Sequence, residues 1–151
     1  SPPPEDTFFD AEATLTRMKA RFEEYLSQLN FENGDYTFFF PPYSALYWNY
    51  AREAGNAETY LAFKAYAEEE LQEYENVRVF DFQNADFVTD LDNYKDYTHY
   101  TPEINDWMLG CFSSGEYLVT EPAQTEVLMR KTNAQVAALL ARYPQIPHGA
   151  G

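Results

Sequence analysis

Cysteine is nearly missing from these 151 residues. Cys111 stands alone, which excludes an intrachain disulfide and any cysteine-based metal site. That suits a reducing cytosol and equally an exported bacterial domain that avoids cysteine. Histidine is almost as scarce, at two residues, and His148 lies in the "PHGAG" tail. With His99 the only one left, a multi-histidine metal site is excluded. Positive charge is short as well: 10 Lys plus Arg face 25 Asp plus Glu, a formal net charge of −15. A surface this negative repels phosphate backbones and anionic lipid, so neither nucleic acid nor a membrane surface is an expected partner. No apolar run approaches the ~18 residues of a membrane span, so direct membrane insertion by this segment is not expected. The opening "SPPPED" has no initiator Met and no signal-peptide pattern, as in a processed protein or a piece of a longer chain.

What is abundant is aromatic surface. Thirteen Tyr, twelve Phe and two Trp bring the aromatic fraction to 18%, ample for one domain's core at this length and against disorder. Residues 1–10 read as a Pro-rich linker or arm. Asp10 can cap a helix from Ala11 to about Asn30, where Leu15, Met18, Phe22, Leu26 and Leu29 fall at helical spacing. "ENGD" breaks it with an Asn-Gly turn. "YTFFFPP" is apolar on both faces and predicts a buried strand. Ser44 can cap a short helix through "ALYWNYAREAG", a second helix spans about Ala57 to Tyr74, and "VRVFDF" predicts the next strand. Helix, strand, helix, strand is the grammar of a parallel sheet. After the acidic stretch "QNADFVTDLDNYKDYTHY", Thr101-Pro102-Glu103 marks a helix start. A last helix ends near Tyr143, and residues 144–151 form a tail.

Two parallel strands alone are not a stable sheet. Further strands must come from a missing N-terminal half, a second chain, or segments whose pattern does not declare them.

The chemistry-bearing stretch is Asp96-Tyr97-Thr98-His99. In acyl transfer by a serine nucleophile, an imidazole takes the hydroxyl proton while a carboxylate on its far nitrogen fixes the tautomer. A loop that carries both groups three residues apart can preset that pair. D-x-x-H is short and common, however, and an ordinary acidic turn with a loop histidine has the same spacing. Its position after the last strand of a βαβ array is where active sites of such sheets lie.

The order of strand, loop, D-x-x-H, small polar residue, Pro and helix resembles the final block of the SGNH (GDSL-type) hydrolase superfamily. "FFFPPYSALYW" and "DLDNYKDYTHYTPEIN" are similar to the C-terminal part of bacterial SGNH-like proteins of cell-surface polymer modification, of the D-alanyl-lipoteichoic-acid and polysaccharide O-acetylation types. The resemblance covers roughly residues 36–109. It implies an α/β, three-layer flavodoxin-like parallel sheet of which residues 11–143 are the C-terminal half. It also implies Asp96 and His99 as acid and base of a Ser-His-Asp triad, with an extracytoplasmic bacterial location. The substrate would be an ester-linked group of a cell-surface polymer or a small acyl ester, and no cofactor or metal is needed. The family's Gly-Asp-Ser turn and its Gly and Asn blocks have no match here, so the serine and oxyanion donors are expected on a missing N-terminal half, and this segment alone is expected to be inactive. A non-catalytic binding or scaffolding domain is the alternative.

Ser44 opens a helix after a strand, but no Gly-x-Ser-x-Gly elbow surrounds it, which favours a helix cap. Pro41, Pro42 and Tyr43, at the carboxyl end of their strand, are candidates to line the crevice at His99; core packing is the competing role for Tyr43. The run Asp86, Asp90, Asp92, Asn93 starts like a Ca²⁺ loop, but Tyr94 and Lys95 end the match, favouring a solvated acidic loop over a calcium-dependent sugar module. Trp48 with Tyr47 and Tyr50, and Trp107, offer either a sugar-stacking platform or core, and helical spacing favours core.

Overall fold

The computed structural model describes residues 9–148, so most of the Pro-rich arm, and positions 149–151 of the tail, lie outside the described residues. Helix α1, Ala11–Ser27, starts where Asp10 accepts a hydrogen bond from the Ala13 amide at 3.0 Å. Strand β1, Tyr36–Phe40, follows the Asn-Gly turn, which the Asn76 side chain ties down by donating to the carbonyls of Phe31 and Gly34. Then come α2, Ala45–Glu53, and α3, Ala57–Gln72, which return the chain to β2, Val77–Asp81. β1 and β2 pair in parallel, from Tyr36 opposite Val77 to Phe40 opposite Asp81. The predicted acidic loop is three short 3-10 turns, Phe82–Asn84, Asp86–Thr89 and Leu91–Asn93. Helix α4, Pro102–Ser114, ends on Gly115, whose φ of 83° is the left-handed geometry a helix stop demands. Helix α5, Thr125–Arg142, completes the chain's mixed α/β architecture.

Helices cover both faces of the small sheet. On one, Leu26 of α1 and Leu71 of α3 pack with Val79, Phe38 and Phe40. On the other, α4 brings Ile104, Met108 and Cys111 against Phe80 and Phe82. A third cluster joins α2, α3 and α5 through Trp48, Leu61, Leu128 and Val136. Trp48 and Trp107 both serve packing: Trp48 is buried, and Trp107 meets Phe82, Phe87 and Tyr117 edge-on or nearly so.

β1 departs from the expected buried strand. Among the described residues its one strand partner is β2, Thr37 is exposed, and Phe39 is 42% exposed although its ring reaches Phe82 and Phe112. The Phe38 and Phe40 face is packed by α1 and α3, whereas the Thr37 and Phe39 face is left partly open. β2 has more cover than expected. Residues 117–119 run antiparallel along its other edge: the Asp81 amide donates to the Tyr117 carbonyl at 3.0 Å and the Val119 amide to the Val79 carbonyl at 2.8 Å. The third source of strands, a segment whose pattern does not declare it, is thus partly realised. Tyr117 adopts φ 66°, a left-handed turn that hides this piece from a strand pattern.

Where β2 ends, Asp81 meets a buried lysine. Lys64 Nζ lies 2.7 Å from Asp81 Oδ2 and 2.6 Å from Gln83 Oε1. The same carboxylate accepts the Gln83 amide at 3.1 Å, starting the turn that carries the chain towards Asp96.

Candidate functional site

The Asp96–His99 stretch is a closed loop. Tyr94 and Tyr100 bridge antiparallel, the Lys95 amide donates to the His99 carbonyl at 2.7 Å, and the Thr101 amide donates to the Asn93 carbonyl at 2.9 Å. Inside it Asp96 Oδ1 accepts the amides of Thr98 and His99, each at 2.8 Å, and the Thr98 hydroxyl at 3.2 Å. Asp96 Oδ2 faces His99 Nδ1 at 2.6 Å. The three-residue spacing thus does two jobs at once: one carboxylate oxygen organises the turn and the other orients the imidazole.

Those donors have an electrostatic consequence. The His99 amide first, then the Thr98 amide and the imidazole itself, hold the Asp96 carboxyl well below the usual carboxylate range. It is therefore an anion at neutral pH and can only accept. The hydrogen in the 2.6 Å contact sits on Nδ1, so a neutral His99 carries its lone pair on Nε2. The described hydrogen bonds leave Nε2 unused. Both groups are open to water, with side chains 75% exposed for His99 and 47% for Asp96. Water screens an ion pair at such exposure, so what the contact supplies here is orientation.

The loop is anchored to the end of β1 and the start of α2. Tyr94 Oη donates to the Pro42 carbonyl at 2.6 Å. The Ser44 amide and hydroxyl both donate to the Tyr97 carbonyl, at 3.2 and 2.7 Å. Ser44 Oγ also accepts the Tyr47 amide at 3.4 Å, as the α2 cap. Ser44 is fully buried and committed to these partners, which is a structural role. Thr101 occupies the cap position of α4 without a side-chain bond to a free amide, and Pro102 supplies the start.

A cleft of about 450 Å³ opens beside His99, lined by Pro41, Tyr43, Thr98, His99, Tyr100 and Asn105. Of the residues expected there, Pro41, Tyr43 and His99 lie on its wall. Pro42 is buried instead, and its carbonyl anchors Tyr94. Thr98, Tyr100 and Asn105 were not legible as lining residues, because nothing in a loop's pattern reveals what it faces. Within the acidic run Asp90 accepts the Asp92 amide at 3.0 Å and pairs with Arg142 of α5 at 3.3 Å, while Asp86 and Asp92 are exposed. Among the described residues no group of three or more His, Cys, Asp or Glu is placed to hold a metal ion, and no helix is long and apolar enough to cross a membrane. His148 Nδ1 lies 3.2 Å from the Ile146 carbonyl, within the tail.

A scan against protein-family models finds no matching family, and searches of curated proteins and of solved structures find no match.

Proposed function

We propose that this chain supplies the acid–base part of an SGNH-type serine esterase or acyltransferase acting on ester-linked groups of a bacterial cell-surface polymer. The observation that carries the reading is the 2.6 Å contact between Asp96 Oδ2 and His99 Nδ1, which leaves Nε2 beside an open cleft. In this scheme Nε2 takes the proton of a serine hydroxyl as its oxygen attacks the ester carbonyl. The imidazolium, steadied by Asp96, returns that proton to the departing alkoxide. Water or an acceptor hydroxyl then takes the acyl group by the same exchange in reverse. No cofactor enters.

The serine and the oxyanion donors come, on this proposal, from a segment outside residues 9–148, an N-terminal half or a second chain. Three features support that. Ser44 is committed as a cap, no described strand lies along the outer edge of β1, and helices already flank both sheet faces, as a three-layer flavodoxin-like sheet requires. The extracytoplasmic location belongs to the same proposal.

The test is fluorophosphonate labelling, read by intact mass and peptide mapping. Residues 1–151 alone should take no adduct. The product of the entire open reading frame should label on one serine outside them, and His99→Ala should abolish it. A frame whose labelling ignores His99→Ala refutes the enzyme reading, and an adduct on a serine of these 151 residues refutes the division of the site.

The exposure of His99 favours one other reading, a binding or scaffolding domain with an SGNH-like fold and no nucleophile. It predicts no serine adduct in either form of the protein.

A further inference from the structure

Against Tyr97 of the Asp96–His99 loop lies a second cleft, about 280 Å³, that neither Asp96 nor His99 lines. Its walls are aromatic: Tyr47 and Tyr50 from α2, Tyr60 from α3 and Tyr97 from the loop itself, with Asn56 between the helices. Tyr97 and Tyr47 lie nearly parallel at 6.3 Å between ring centroids, and Tyr50 meets Tyr97 edge-on at 5.6 Å. Tyr50 and Tyr97 are 48% and 46% exposed. Two neighbouring tyrosines left half open, one ring edge-on to the other, form an angled, amphipathic aromatic wall of the kind binding sites use.

The two clefts adjoin. Tyr43 lines the His99 cleft and Tyr47 the aromatic one, and their rings are 4.8 Å apart. Tyr97 and Thr98 are consecutive, one lining each cleft. A ligand of more than one unit seated on the tyrosines would thus have Tyr43, and beyond it His99, next in line.

Three observations select its chemistry. Aromatic faces want the C–H face of a ring or a cation. Asn56 holds an unpartnered side-chain oxygen, while its nitrogen donates to Tyr60 Oη at 3.2 Å. Asn χ2 is a soft torsion, so this amide gains by turning towards a hydroxyl donor, which a quaternary ammonium lacks. The net charge of −15 repels polyphosphates and uronates.

We propose that the Tyr47–Tyr50–Tyr97 cleft is a subsite for a neutral hexopyranose unit. Resting on the esterase reading, this names the polymer as a neutral glycan and places one of its sugars next to the ester that reaches His99.

The experiment is an NMR titration of the ¹⁵N-labelled chain with cellotetraose and with its N-acetylated counterpart, chitotetraose. Polyglycerol phosphate and tetramethylammonium are the comparison probes. Saccharide-induced shifts centred on Tyr47, Tyr50 and Tyr97, weakened about tenfold by Tyr50→Ala and retained in His99→Ala, are the expected result. Shifts there with tetramethylammonium or polyglycerol phosphate and none with the saccharides overturn the proposal. So does silence from all four probes at tens of millimolar. Because binding is read without turnover, saccharide shifts alongside a failed labelling experiment would remove the esterase reading and leave a glycan-binding cleft.

Discussion

Replacing Lys64 with methionine should destabilise the protein by about 3–5 kcal/mol. Lys64 and Asp81 have side chains only 5% and 4% exposed, and Nζ lies 2.7 and 2.8 Å from the two carboxylate oxygens and 2.6 Å from Gln83 Oε1. Methionine keeps most of the unbranched stem, so packing changes little and the loss is polar: a buried carboxylate without its cation and a Gln83 oxygen without its donor. Asp81 is left with the Gln83 amide and the Asn84 side-chain nitrogen, both at 3.1 Å. Breaking one side of a buried pair is this costly because the charge left behind is uncompensated. Urea unfolding followed by tryptophan fluorescence measures the loss, with an unchanged m-value as the check on two-state behaviour. Adding Asp81→Asn removes the stranded charge and should recover much of it. A Lys64→Met loss below about 1 kcal/mol, or no recovery in the double variant, would refute this account of the pair.

Ser44→Ala removes the α2 cap and one of two donors to the Tyr97 carbonyl; it should cost about 1–2 kcal/mol in urea unfolding and speed amide exchange at Thr98 and His99. Asp96→Asn should move the neutral imidazole hydrogen of His99 off Nδ1, because an amide NH₂ turned to the ring needs an acceptor; imidazole ¹⁵N shifts read this directly, and an unchanged tautomer counts against the dyad. Glu68 sits buried with its oxygen on the Ala123 amide at 2.9 Å, and burial pushes its carboxyl up. A raised acid penalises the folded state only once it ionises, so the penalty is absent below the unfolded value and complete above the folded one. Glu68→Gln should accordingly raise Tm more at pH 7.5 than at pH 4, and a Tm gain independent of pH would contradict this.

The features legible in the sequence are those decided over a few residues. Asp10 and Ser44 cap where side-chain chemistry says they should, and Pro102 opens α4. The Asp96–His99 contact was legible because three residues of one loop suffice to make it. What escaped depends on partners far along the chain. Ser44 and the Tyr97 carbonyl that it fixes are 53 residues apart. Lys64 and Glu68 look like a solvated helix face, yet α3 is enclosed by α1, α2, α5 and β2, and both are buried. The apolar run of β1 predicts burial on both faces, but the Thr37 and Phe39 face is exposed, because what covers a strand's face is decided by helices elsewhere in the chain.

The outer edge of β1 bears on where a nucleophile could enter. β1 runs into Pro41 and Tyr43, which line the His99 cleft, so the cleft lies at the carboxyl end of the strand. A further strand laid parallel along the outer edge of β1 would finish at the same end, and the turn that follows it would face the imidazole. An antiparallel strand would bring its amino end there instead, and the turn after it would lie at the far side of the sheet. Parallel addition is also what places helix N-termini, with their free amides, at that end to receive an oxyanion. On the proposed esterase reading, one parallel addition would meet both the exposed dyad and the edge of β1 that no described strand covers, because that direction brings a serine within reach of Nε2.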